Sequence, residues 1–157
     1  MDRFSLEQFL PYRLNRAAEF VGLRFAAYYK ARYGLTRPEW RTLAALGSSG
    51  RMTSKAVGAH STMHKTKVSR AVFALERRRW LKRTQDEADR RLEHLELTPA
   101  GQQAYQELIE LARRYQAELV AEIGEGGVHA LGDGLAAVER KMHRSVKGKQ
   151  LPEPDDL

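Results

Sequence analysis

The stretch that most restricts this chain is STMHKTKVSRAVFALERRRWLKR, from Ser61 to Arg83. Val68, Ala71, Val72 and Leu75 recur at helical spacing, while almost everything between them is a hydroxyl, a cation or a small residue. A surface helix needs polarity on its outer side, but not polarity of one sign. A strongly cationic outer side asks for a polyanionic partner.

The whole chain leans the same way. Its 157 residues hold 27 Lys and Arg against 20 Asp and Glu, a formal charge of +7, which points to nucleic acid or to an anionic membrane surface. Cysteine is absent, which removes disulfides, thiolate zinc sites and any thiol redox switch. No apolar run approaches the roughly 20 residues of a membrane span. The opening MDRFSLEQFLPYR is acidic and interrupted rather than signal-like, so a cytoplasmic location is expected.

Along the chain the spacing predicts a mostly helical protein. A first helix starts around Ser5 or Pro11 and runs to about Tyr33, with Phe9, Leu14, Ala17, Ala18, Val21, Phe25 and Tyr28 as its stripe and Gly34 as its stop. LTRPEW opens a second: Thr36 can cap it, Pro38 suits its first turn and Glu39 stands at capping-box spacing. It carries Trp40, Leu43, Ala44 and Leu46 into GSSG, read as a turn. Thr53 heads a short helix to about Ala59, and after HST a further helix runs from roughly Met63 to Arg79, a helix-turn-helix arrangement.

After Trp80 the period becomes alternating. LKRT and LEHLEL read as two strands joined by the charged loop QDEADRR, a β-hairpin wing. Thr98 and Pro99 then begin a helix carrying Ala104, Leu108, Leu111, Ala112, Tyr115, Leu119, Val120 and Ile123. Gly124, Gly126 and Gly127 are expected to break it before a last helix with Val128, Leu131, Leu135, Val138 and Met142, and a frayed polar tail from residue 147 to 157. Phe4, Leu6, Phe9 and Leu10 near the start, with Val128, Leu131, Leu135 and Val138 near the end, exceed what a small core buries, so either a second copy or a larger internal bundle must cover them.

The ordered pieces LTRPEWRTLAAL, MTSKAVGAHSTMHKTKVSRAVFALERRRWLKR and DEADRRLEHLELTPAG, followed by a long helix pair, resemble the multiple antibiotic resistance regulator (MarR) family over about residues 10 to 145. The resemblance implies a mainly α, winged helix-turn-helix fold with a two-stranded wing. Residues 1–34 and 100–146 would form the dimerisation helices and residues 35–99 the DNA-binding domain. It also implies a homodimer presenting two such domains to a pseudo-palindromic operator in double-stranded DNA.

On DNA the roles divide by chemistry. Thr66, Lys67 and Arg70 are the candidates for base edges or adjacent phosphates, and Lys65, Ser69 and the capping hydroxyls of Ser61 or Thr62 for phosphates. His64 either reads a base or sits at the groove edge, and Thr53, Ser54 and Lys55 offer backbone contacts from the preceding helix. In Asp89-Arg90-Arg91 the family pattern has the Asp brace an Arg in the minor groove, roles that fall to Asp89 and Arg91. The alternative is a solvated hairpin tip. The run Arg77 to Arg79 suits a helix C-terminus as well as a DNA backbone.

His60 and His64 stand at a metal-ligand spacing, but they straddle a predicted turn with no carboxylate between them. No nucleophile elbow, phosphate loop or dinucleotide fingerprint appears, so no enzyme, metal or cofactor is expected. The resemblance implies an effector, a small anionic aromatic, for which Tyr12, Arg16, Arg24, Tyr29 and Trp40 could supply cations and rings. The expectation is thus a homodimeric, sequence-specific transcription repressor released by such a molecule, set against an effector-independent architectural nucleic-acid-binding protein.

Overall fold

The computed structural model describes residues 4–146, with side chains over 4–142; the polar tail expected over 147–157 lies outside the described residues. After a short turn of 3-10 helix at Leu6–Gln8 come α1 (Leu10–Tyr33), α2 (Arg37–Ser49), β1 (Met52–Thr53), α3 (Ser54–Ser61) and α4 (Lys65–Arg77). Two longer strands follow, β2 (Leu81–Gln85) and β3 (Glu93–Leu97), then α5 (Pro99–Ile123) and α6 (Glu125–Val146). The strands form one antiparallel sheet in the order β1-β3-β2, which completes a winged helix-turn-helix. Among the described residues no helix is long and apolar enough to cross a membrane.

Local chemistry explains most of the boundaries. Gly34 ends α1 at φ 65°, its N–H donating to the Lys30 carbonyl, a conformation that glycine adopts without penalty. Thr36 and Glu39 close a full capping box on α2: the Thr36 hydroxyl accepts from the Glu39 N–H, and the Glu39 carboxylate accepts from the Thr36 N–H at 3.2 Å. The expected GSSG turn is overturned, because α2 continues through Gly47, Ser48 and Ser49 and stops only at Gly50. Gly47 lies against the ring of Tyr105, where a Cβ would collide, so this glycine serves packing rather than turning.

Strand β1 was not anticipated, since two residues are too few to show a period. Met52 pairs with Leu95 and Thr53 with His94, on the opposite edge of β3 from the hairpin partner β2. Thr53 is also the cap of α3, its hydroxyl accepting from the Ala56 N–H at 3.1 Å. At the far side of the hairpin, the Thr98 hydroxyl caps α5 by accepting from the Gly101 N–H and donates to the Arg79 carbonyl at 2.7 Å.

The core is built from Leu35, Leu43, Leu46, Val57, Val68, Val72, Leu75, Leu81, Leu95 and Leu108, with Tyr29. All four residues expected to face inward from α4 do so. On α1 the expected stripe holds at Phe25 but departs at Val21 and Tyr28. Tyr29 is buried and Phe25, Ala26 and Tyr33 pack beside it, while Val21 and Tyr28 join Phe20 and Leu23 among the exposed apolar residues. This helix is apolar around much of its circumference, and the stripe that wins is the one whose rings meet Trp40: Phe25 edge-on at 5.2 Å and Tyr29 stacked at 5.7 Å.

The chain divides into two compact units, Met1–Leu111 and Ala112–Leu157. The first holds the core, the sheet and the helix-turn-helix. In the second, Gly124 alone ends α5, at φ 88°, and Gly126 and Gly127, also expected to break it, lie in the first turn of α6. Leu131, Leu135 and Met142 of α6 are exposed.

Candidate nucleic-acid interface

Helix α4 turns Val68, Ala71, Val72 and Leu75 into the core, which leaves Lys65, Thr66, Lys67, Ser69 and Arg70 on its exposed side. Its cap is not the expected hydroxyl. His64 caps α4, its Nδ1 accepting from the Thr66 N–H at 3.3 Å, so the imidazole satisfies a donor of the first turn. Ser61 is instead the last residue of α3 and is buried; its hydroxyl faces the Arg41 carbonyl at 3.5 Å and its own carbonyl accepts from the Arg41 guanidinium. That removes Ser61 from the surface a phosphate can reach. Thr62 follows in the left-handed region at φ 50° and stays exposed, accepting from Arg41 at 3.0 Å and donating to the Ser61 carbonyl.

At the start of α3, Ser54 and Lys55 are exposed, whereas the Thr53 hydroxyl is spent on the cap. Ser54, Lys55 and Lys65 share the rim of a groove of about 380 Å³ floored by Gly58, Met63 and Val68. The strands themselves offer little free positive charge. Lys82 pairs with Glu96, and Arg83 with Glu76 and Glu93.

The wing tip is ordered by two aspartates in series. Asp86 accepts from the N–H groups of Ala88 and Asp89 at 2.9 and 2.8 Å and pairs with His94 Nε2 at 2.8 Å. These bonds, the one to His94 first, hold its carboxyl down at about 2. Asp89 in turn accepts from the Arg91 backbone N–H and from its guanidinium at 3.1 Å, and the Arg91 side chain is 91% exposed. Arg90 is exposed beside it, its carbonyl taken by Gln85. The Asp86–His94 pair was missed from sequence, although hairpin pairing brings the two positions together.

A second concavity, about 320 Å³, lies between α1 and α2 and is lined by Ala18, Gly22, Phe25, Tyr29, Arg37, Trp40 and Arg41. Of the five candidate effector residues, Tyr29 and Trp40 line this cavity, and Tyr12, Arg16 and Arg24 do not. Arg16 lies over the Tyr12 and Phe20 rings instead, at 5.6 Å from each. The cations of this pocket are Arg37, paired with Glu19 at 3.1 Å, and Arg41, whose charged form is disfavoured by burial and then by the Arg37 charge. Their four-residue spacing around Trp40 was the available signal. Among the described residues no group of three or more His, Asp or Glu is placed to hold a metal ion; His60 is on α3 and His64 beyond its end.

The MarR family pattern matches residues 33–92, the span from the end of α1 to the wing tip. An uncharacterised HTH-type transcriptional regulator of Bacillus subtilis, YwoH, is 26% identical over 72% of this chain and 81% of its own length. A MarR family transcriptional regulator of Silicibacter pomeroyi has a similar structure, with 26% identity, a TM-score of 0.69 and coverage of 85% of this chain and 99% of that one. BpsR of Bordetella bronchiseptica, whose DNA binding is regulated by 6-hydroxynicotinic acid, superposes with a TM-score of 0.68 at 22% identity, over 83% and 98% of the two chains. With the pattern match falling on the helix-turn-helix and wing, residues 33–92 of this winged helix-turn-helix chain carry the MarR family pattern.

Proposed function

We propose that this protein is a homodimeric, sequence-specific transcription repressor that occupies a pseudo-palindromic operator and is released by a small anionic aromatic molecule. The observation that carries the reading is the exposed polar stripe of α4, held at its start by His64, together with an exposed Arg91 braced by Asp89. In the major groove Thr66, Lys67 and Arg70 would meet base edges or adjacent phosphates, with Lys65, Ser69 and Thr62 on phosphates. Ser54 and Lys55 would add backbone contacts from α3, and Arg91 would enter the minor groove, Arg90 lying along its edge.

Two further features support the finer parts. Phe4, Leu6, Phe9 and Leu10 in the first unit and Leu131, Leu135 and Met142 in the second leave apolar surface in water that a two-fold partner would cover. The α1–α2 pocket offers two guanidinium groups beside a stack of rings, which suits a carboxylate carried on an aromatic ring. The regulation of BpsR by 6-hydroxynicotinic acid involves a ligand of that chemistry.

The test is selection of bound duplexes from a random pool at physiological salt against non-specific competitor. Recovery of a pseudo-palindrome, and its release by an aromatic carboxylate, is the expected result. Weak binding of every sequence with a steep salt dependence would replace the reading with an architectural one.

A further inference from the structure

One residue on the outer side of α4 does not fit a face made only for phosphates. Phe73 is 57% exposed, although the other residues on its line along the helix, Thr66, Ser69, Arg70 and Arg77, carry hydroxyl or guanidinium groups. Thr66, Ser69, Arg70, Phe73 and Arg77 recur at steps of three and four, so they form one line along the helix, directly opposite the buried line of Val68, Ala71, Val72 and Leu75. Phe73 sits in the middle of this line, not at its border with the core. The Arg77 guanidinium lies over the ring at 5.9 Å, on the side away from Thr66. The ring is thus held on the outside by a cation that itself suits DNA.

We propose that Phe73 reads thymine: its ring packs against the 5-methyl group of one thymine in each half-site and makes that base pair a determinant of specificity. The inference rests on the reading of α4 as the helix that enters the major groove. The major groove displays one apolar group, the thymine methyl, and a phenyl ring is among the side chains suited to it. At about 1.5 Å of rise per residue, Phe73 lies about 10 Å along the axis from Thr66, within a groove about 12 Å wide. A phosphate-contacting role would leave the ring in water or against charge, where it contributes nothing.

The experiment replaces each thymine of the selected operator in turn by deoxyuridine, which deletes only the methyl group. For the wild-type protein, uracil at one position per half-site should weaken binding about fourfold, the equivalent of ~0.8 kcal/mol for one methyl-sized group. In Phe73→Ala the same substitution should cost nothing, and Phe73→Leu should retain part of the effect. Equal uracil penalties in wild type and Phe73→Ala would overturn the assignment. So would a change in oligomeric mass of Phe73→Ala, which would make the ring a protein contact. If the wild-type protein selects no sequence at all, the groove-binding reading falls and this one with it; a selected operator indifferent to uracil sinks the thymine reading alone.

Discussion

Arg41 of α2 donates its guanidinium N–H to the carbonyl of Ser61, the last residue of α3, while the same side chain lines the aromatic pocket. One cation therefore faces two ways, toward a pocket and toward the turn that precedes α4. A carboxylate entering the pocket competes with the Ser61 carbonyl for it, and the charge it meets has been made less favourable by burial. Arg41→Met should make operator binding insensitive to aromatic carboxylates and lower thermal stability by about 1–3 kcal/mol, the scale of a hydrogen bond to a charged group. Arg37→Gln should instead weaken effector binding and leave stability within about 1 kcal/mol, because its pair with Glu19 is exposed. Effector titration of a labelled operator complex separates the two.

Arg91 and Asp89 predict a graded pair. Arg91→Ala should lower operator affinity with the oligomeric state unchanged. Asp89→Ala should lower it less, because the cation survives and only its bracing is lost. Fluorescence anisotropy with an A·T-rich and a G·C-rich flank reads both, and a loss with Arg91→Ala that ignores the flank would place the residue outside the minor groove.

Gly101 tests the packing of α5 on the hairpin. A Cβ there would collide with the backbone carbonyl of Trp80, and backbone moves less readily than a side chain. Gly101→Ala should destabilise the protein by about 1–3 kcal/mol in chemical denaturation. Gly126→Ala, where the surrounding space is open and the residue is helical, should be neutral or stabilising.

Acid should weaken the wing as it protonates Asp86. Asp86 titrates at about 2 in the fold against an ordinary 3.8. A carboxyl held low contributes stability that is present above its unfolded value and is lost as pH falls through the folded one. The window is therefore about pH 4 down to about pH 2. Wild type minus Asp86→Asn should show a difference in stability that shrinks across this window, measured by thermal unfolding; a constant difference would mean that the charge of Asp86 plays no part.

The sequence was most legible where one short motif decides the backbone. Thr36 and Glu39 announced their capping box, and the spacing of Val68, Ala71, Val72 and Leu75 was enough to orient α4. It was least legible where a choice depends on a distant neighbour. Gly47 reads as a turn until Tyr105 is seen against it, and Tyr28 and Tyr29 are equivalent on an apolar helix until Trp40 selects one. The pocket cations follow the same logic: Arg16 and Arg24 were expected because they share a helix with the rings, yet Arg37 and Arg41 line the pocket because α2 is the opposing wall. His64 escaped notice as a cap because hydroxyls and carboxylates are the usual signal, whereas an imidazole nitrogen accepts equally well.

Thr53 ends a strand and begins a helix with no residue in between. A linkage without slack transmits displacement rather than absorbing it. Since β1 is zipped to β3 and β3 to β2, tilting the wing must carry the first turn of α3 with it. The hairpin is therefore less a flexible finger than one end of a lever whose fulcrum is this single threonine, and any partner that displaces the wing shifts the start of α3 with it.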